Sequence, residues 1–153
     1  MASLSANPPK ASLARVTAPT SLPVTIQQAK ANLNLSSDDD THDAKIGDRI
    51  AAATEQLERD TDSVLISQQF RYDMQQFPSS FRFNINPVIS AVYIKYIDTE
   101  GIEQTVDPEV YGFMASDRLV YLNTGQSWPT ADSIPDAVKI TFTAGYGDAG
   151  NVP

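Results

Sequence analysis

AVKITFTAGYGD, residues 137–148, decides how this chain is read. Val138, Ile140, Phe142 and Ala144 alternate with Lys139, Thr141 and Thr143. A period of two sends apolar and polar side chains to opposite faces, which describes a β-strand with one face buried. Gly145 and Gly147 then allow the backbone to turn sharply where a side chain would resist. Such a strand needs partners, and the residues upstream supply them. Phe70, Tyr72 and Met74 alternate with Arg71 and Asp73, and Phe81, Phe83 and Ile85 with Arg82 and Asn84, so both stretches are expected as half-buried strands. Residues 92–97 form a β-rich run, 98–101 a turn and 102–106 its hairpin partner. Tyr111 with Phe113, then residues 119–122, suggest two further short strands, and residues 123–135, with two prolines and a glycine, a loop.

Before residue 62 the period is that of a helix. Thr25 and Gln28 have capping-box spacing, and Ile26, Ala29 and Leu33 fall on one face of a short amphipathic helix. Ser37 is placed to cap a longer helix over residues 38–60, with Asp38, Asp39 and Asp40 at the positive end of its dipole. Ile46, Ile50, Ala53 and Leu57 make one apolar stripe, while Asp48, Arg49, Glu55, Glu58 and Arg59 occupy the other faces. Two helices joined by a few residues predict a hairpin. Residues 1–23 contain Pro8, Pro9, Pro19 and Pro23 without an apolar period, so they are expected as an extended or disordered arm that orders on a partner. The expected class is α+β: the arm, a helical hairpin over 24–62, a small antiparallel β-domain of sandwich or barrel-like form over 63–148, and a tail over 149–153.

Length and charge narrow the function. A chain of 153 residues fits one domain with arms and can bury roughly 68 to 70 per cent of its unfolded surface. The net charge is −8, with +2 over residues 1–23 and −5 over each of 24–66 and 67–153. Binding to DNA phosphates relies on clustered Lys and Arg, so repulsion from DNA is expected. The absence of cysteine excludes disulfides and thiolate metal sites. The first residues carry no compact apolar signal region, which points to synthesis in the cytoplasm.

Several motifs invite chemistry and fail on spacing. TAGYGD, residues 143–148, differs by one residue from the TVGYGD filter of potassium channels, yet no stretch approaches the about 20 apolar residues of a membrane span. The run SSDDDTHD, residues 36–43, suggests calcium, but an EF-hand loop starting at Asp38 would need Gly and Glu where Asp43 and Arg49 stand. Helix capping explains the run instead. Gly145-Tyr146-Gly147 lacks the remaining glycines and the lysine of a phosphate loop. His42 is the sole histidine, so a catalytic triad could be assembled only through it, and among Asp38 to Asp40 and Asp43 it reads as a solvated surface residue. No catalytic, cofactor-binding or metal-binding residue is therefore assigned. Trp128, before Pro129 in a loop, is either a contact residue or an aromatic folded back over the sheet.

The order of these pieces carries a resemblance. TIQQAKANLNL (25–35), IAAATEQLERDTDSVLISQQFRYDMQQFP (50–78), INPVISAVYIKYIDTEG (85–101) and QSWPTADSIPDAVKITFTAGYGDAGNVP (126–153) together resemble the phage head-tail connector (adaptor) family, in the branch with a β-domain inserted after the N-terminal helix pair. The resemblance implies a non-enzymatic virion protein without cofactors at the head-tail junction. Such a protein forms a homo-oligomeric ring, twelve-fold in such systems, between the portal protein and the stopper or tail-completion protein, with DNA passing through its centre and no membrane involved. Within that expectation Asp48, Glu55, Glu58 and Arg59 face the lumen or a neighbouring subunit, and Trp128 and Tyr146 touch a partner. The competing reading is a β-rich carbohydrate-binding or adhesion module, with Tyr93, Tyr96, Tyr121 and Trp128 as an exposed aromatic platform. A small hydrolase has no support with one histidine and no cysteine.

Overall fold

The computed structural model of the chain describes residues 11–153, and the first ten residues of the expected arm lie outside the described residues. The strand read from residues 137–148 is β8, Val138–Ala144, and it occupies the centre of a five-stranded antiparallel sheet. On one side it pairs with β2, Gln68–Met74, and on the other with β4, Val88–Ile97. The edges are β1, Ser12–Thr17, against β2, and β5, Glu103–Thr105, against β4. A second, three-stranded sheet has the order β3-β7-β6, from Ser80–Arg82, Leu119–Leu122 and Tyr111–Met114.

The core lies between the two sheets. Phe70, Tyr72 and Met74 of β2 and Val138, Ile140 and Phe142 of β8 project to one side, where they meet Phe83 and Val120 from the smaller sheet and its flank. Phe142 touches three aromatic rings: Tyr72 at 5.5 Å, Phe70 at 5.7 Å and Phe83 at 4.3 Å between centroids. The alternation of apolar residues in β2 and β8 is thus the pattern of a sheet covered on its inner face. Phe83 falls outside the strand that its alternation predicts, because β3 ends at Arg82; the Phe83 N–H bonds to the Arg118 carbonyl and the ring turns into the core.

The glycine turn after β8 closes the β-domain on itself. Gly145 has φ +124°, and a Cβ there would lie 2.6 Å from the Ser67 nitrogen. Around it the Tyr146 N–H bonds to the Leu65 carbonyl and the Ser67 N–H to the Gly147 carbonyl. The motif is therefore a place where two backbones approach too closely for any side chain.

The helical part differs from expectation. It consists of one long helix, α2, Asp43–Thr61, preceded by the two-turn α1, Ile26–Asn32, and is not a hairpin of two comparable helices. The Thr25 capping box starts α1 as read from its spacing. Asn34 with φ +54° and the irregular residues after it end α1. Ser37 does not cap α2. The Asp39 carboxylate accepts the Thr41 N–H and starts a 3-10 turn, Asp40–His42, from which α2 continues. Of the expected stripe only Ile46 is buried, while Ala53 and Leu57 remain exposed.

Residues 12–17 also correct the expectation for the arm. They do not wait for a partner molecule, because β1 takes its ladder from β2 of the same chain. An edge strand needs backbone pairing more than apolar alternation, and β1 accordingly leaves Leu13 and Val16 exposed.

Candidate assembly surfaces

The acidic run before α2 is occupied by an internal partner. α1 places Lys30 against α2 with its side chain 1% exposed. The ammonium pairs with Asp43, lies 3.5 Å from Asp40 and donates to the Ser37 carbonyl at 3.3 Å. Asp43 chiefly, and then Asp40, hold this ammonium above the ordinary lysine value against the opposing effect of burial. Asp39 is held below the usual carboxylate range by its bonds to Thr41. The acids thus fasten α1 to the start of α2, and among the described residues no cluster of three or more His, Cys, Asp or Glu is disposed around a metal position. A lysine on the apolar face of α1, followed by four nearby aspartates, was the sequence signal for this clamp. His42 stays exposed at the end of the 3-10 turn.

Asp48, Glu55 and Arg59 share one exposed stripe of α2 by helical spacing. The Arg59 guanidinium donates to the Gln56 side-chain oxygen at 3.0 Å. Glu58 is turned toward the β-domain, where its carboxylate accepts the Leu65 N–H at 2.8 Å. With Arg15 of β1, Glu55 and Glu58 line the cleft between α2 and the sheet. Tyr146, far along the chain, keeps an exposed ring beyond the end of β8. Trp128 lies flat on Phe77, with ring centroids 4.9 Å apart and planes within 7°, and stacks beside Tyr111.

The aromatic platform of the competing reading is not assembled. Tyr96 packs against the core beside Phe77, and Trp128 stacks on that same Phe77 ring. Tyr93 is exposed, with the Lys95 ammonium 5.7 Å from its ring centre. Tyr96 and Trp128 are drawn in because their rings gain more from apolar neighbours than from water.

Two further surface features stand apart from the expected contact residues. On the face of α2 turned away from the sheet, a groove is lined by Ala29, Leu33, Ile46, Ile50 and Ala53 and rimmed by Lys45 and Arg49. At the other end of the sheet the β4–β5 turn holds Ile102 in solvent, 51% exposed. That turn is tightly built. The Asp98 carboxylate accepts the N–H groups of Glu100 and Ile102 and the side-chain amide of Gln104, at 3.0, 2.9 and 3.0 Å. These bonds hold Asp98 below the usual carboxylate range, and Gly101 supplies φ +81°. Glu103 is likewise held low by Lys95 and then Lys139, which it joins across three strands.

No protein-family model and no curated protein matches the chain. Solved structures do. A chain of the neck of an empty GTA particle, computed with C6 symmetry, superposes with a TM-score of 0.75 at 21% identity, covering 93% of this chain and 75% of that one. A chain of the virion of a native gene transfer agent (GTA) particle gives 0.76 at 24% identity over 92% and 75%. A third, from the neck of a native GTA particle computed with C12 symmetry, gives 0.70 at 21% identity over 93% and 74%. At these identities the similarity establishes the fold. Among the described residues no helix is long and apolar enough to cross a membrane.

Proposed function

We propose that this chain is a structural, non-enzymatic subunit of the neck of a tailed-phage-like particle, an adaptor assembled as a ring, of twelve copies if it follows the resemblance, between portal and stopper or tail. The observation that carries the proposal is the match of more than nine-tenths of the chain to chains of GTA necks and virions. Charge supports it. A subunit of net charge −8 gives a passage that repels DNA and lets it slide without sticking. The exposed stripe of Asp48, Glu55 and Arg59 faces the lumen or a neighbouring subunit in this reading, and Tyr146 and Trp128 lie toward other neck components. Glu58 acts within the chain, through Leu65.

Native mass spectrometry of the purified chain, alone and with portal protein, tests the proposal. Closed rings of a fixed copy number, seated on portal, are expected. A chain that remains a single copy across micromolar to millimolar concentration and ignores portal overturns it.

A further inference from the structure

Resting on the ring reading above, we infer that the groove between α1 and α2 is the socket for the β4–β5 turn of a second copy, with Ile102 as the inserted side chain. A ring needs a head-to-tail contact in which two different patches of one subunit match each other. The groove and the turn have the required placement. Ala51, Thr54, Glu55 and Glu58 of α2 line one cleft with Arg15 of β1 and Gln68 of β2, and by helical spacing the residues of the groove lie on another side of the helix. β5 is the far edge of the same sheet, four strand spacings from β1, or about 19 Å. The groove on the helices and the turn beside the β5 edge are therefore two different patches of one subunit.

The chemistry of the two patches is complementary. The groove wall is apolar, with Leu33 60% exposed in the isolated chain, and Lys45 and Arg49 on its rim pair with no carboxylate among the described residues. The turn offers the converse, an exposed isoleucine between Glu100 and Glu103, and Glu100 pairs with no cation among the described residues. Its shape is already set by the bonds to Asp98, so little conformational freedom is lost on docking. Buried apolar anchors of this kind dominate interface energies, and rim charges set orientation. Ile134, another exposed apolar residue, is flanked by Asp132 and Asp136 in a long loop, where the bonds of the Asp132 N–H to the Ile97 carbonyl and of the Ser133 N–H to the Asp132 carboxylate precede it.

The absence of native cysteine makes the test direct. A chain carrying Ile102→Cys and Ala53→Cys should give a ladder of disulfide-linked multimers on mild oxidation, while Ile102→Cys paired with Met114→Cys should form linked species at least about ten-fold more slowly. Glu100→Lys should weaken self-association about ten-fold, and adding Lys45→Glu with Arg49→Glu should restore it. If rings form but the ladder is missing or Glu100→Lys leaves association unchanged, the socket is refuted while the ring stands. If no rings form under any of these conditions, with or without portal protein, both fall.

Discussion

The rings of Phe83 and Phe142 lie 4.3 Å apart between centroids, and this contact fastens the three-stranded sheet to the centre of the five-stranded one. Both residues are fully buried. Phe142→Ala should cost about 3 to 5 kcal/mol, because the cavity would open where four aromatic rings meet. Phe142→Leu should cost less than half of that. Urea unfolding followed by tryptophan fluorescence measures both, and equal losses would show that the site is not packed as described.

Gly145→Ala should destabilise the chain by about 3 kcal/mol, through a strained φ and a clash with the Ser67 backbone. Gly125→Ala is the control. Gly125 also has positive φ, but nothing lies within 4 Å of the position an added methyl would take, so only the conformational cost of about 1 kcal/mol applies. Thermal melts of the two variants should differ by several degrees.

Among the acids of α2 the effects should divide. Glu58→Ala removes the acceptor of the Leu65 N–H and should cost about 1 to 2 kcal/mol of stability. Asp48→Ala and Glu55→Ala should stay within about 0.5 kcal/mol of the parent, since both are exposed. In the ring reading these two act on assembly or DNA passage, so particle yield should fall without any change in the melting curve of the subunit.

The β4–β5 turn should loosen in acid. Asp98 is held low first by the Ile102 N–H and then by Gln104, so its folded value lies below its unfolded one. The unfolded state then binds more protons as pH falls, and the contribution of this carboxylate is complete above the ordinary carboxylate range and lost below it. The protection factors of the Glu100 and Ile102 amides, corrected for the intrinsic pH dependence of exchange, should fall as pH drops below the ordinary carboxylate range, before that of Phe142 does. Asp98→Asn should remove most of that pH dependence. Turn protection that is flat across this range would contradict the bonding described.

The strands that build the core were legible because burial on one face leaves a period of two, as in Phe70, Tyr72 and Met74. The edges were not. β1 is held by the ladder of β2, and neither Leu13 nor Val16 reports a buried face. The start of α2 was misplaced because aspartates favour both a helix dipole and a local turn, and the Asp39 side chain chose the turn at Thr41. The stripe Ile46, Ile50, Ala53 and Leu57 is apolar as its spacing indicates, but periodicity cannot say whether the cover comes from the same chain. The groove beside the Lys30 clamp depends on how α1 meets α2, a long-range relation that no local pattern encodes.

The paired bonds between residues 65–67 and 146–147 bring the first and last strands of the β-domain to one point beside the helices. A module whose two seams are neighbours behaves as a cassette. It can grow taller at its distant tip, around Asp98 and Gly101, while the helical base that carries it keeps its position, so the height of the subunit and the footprint of the subunit are free to evolve separately.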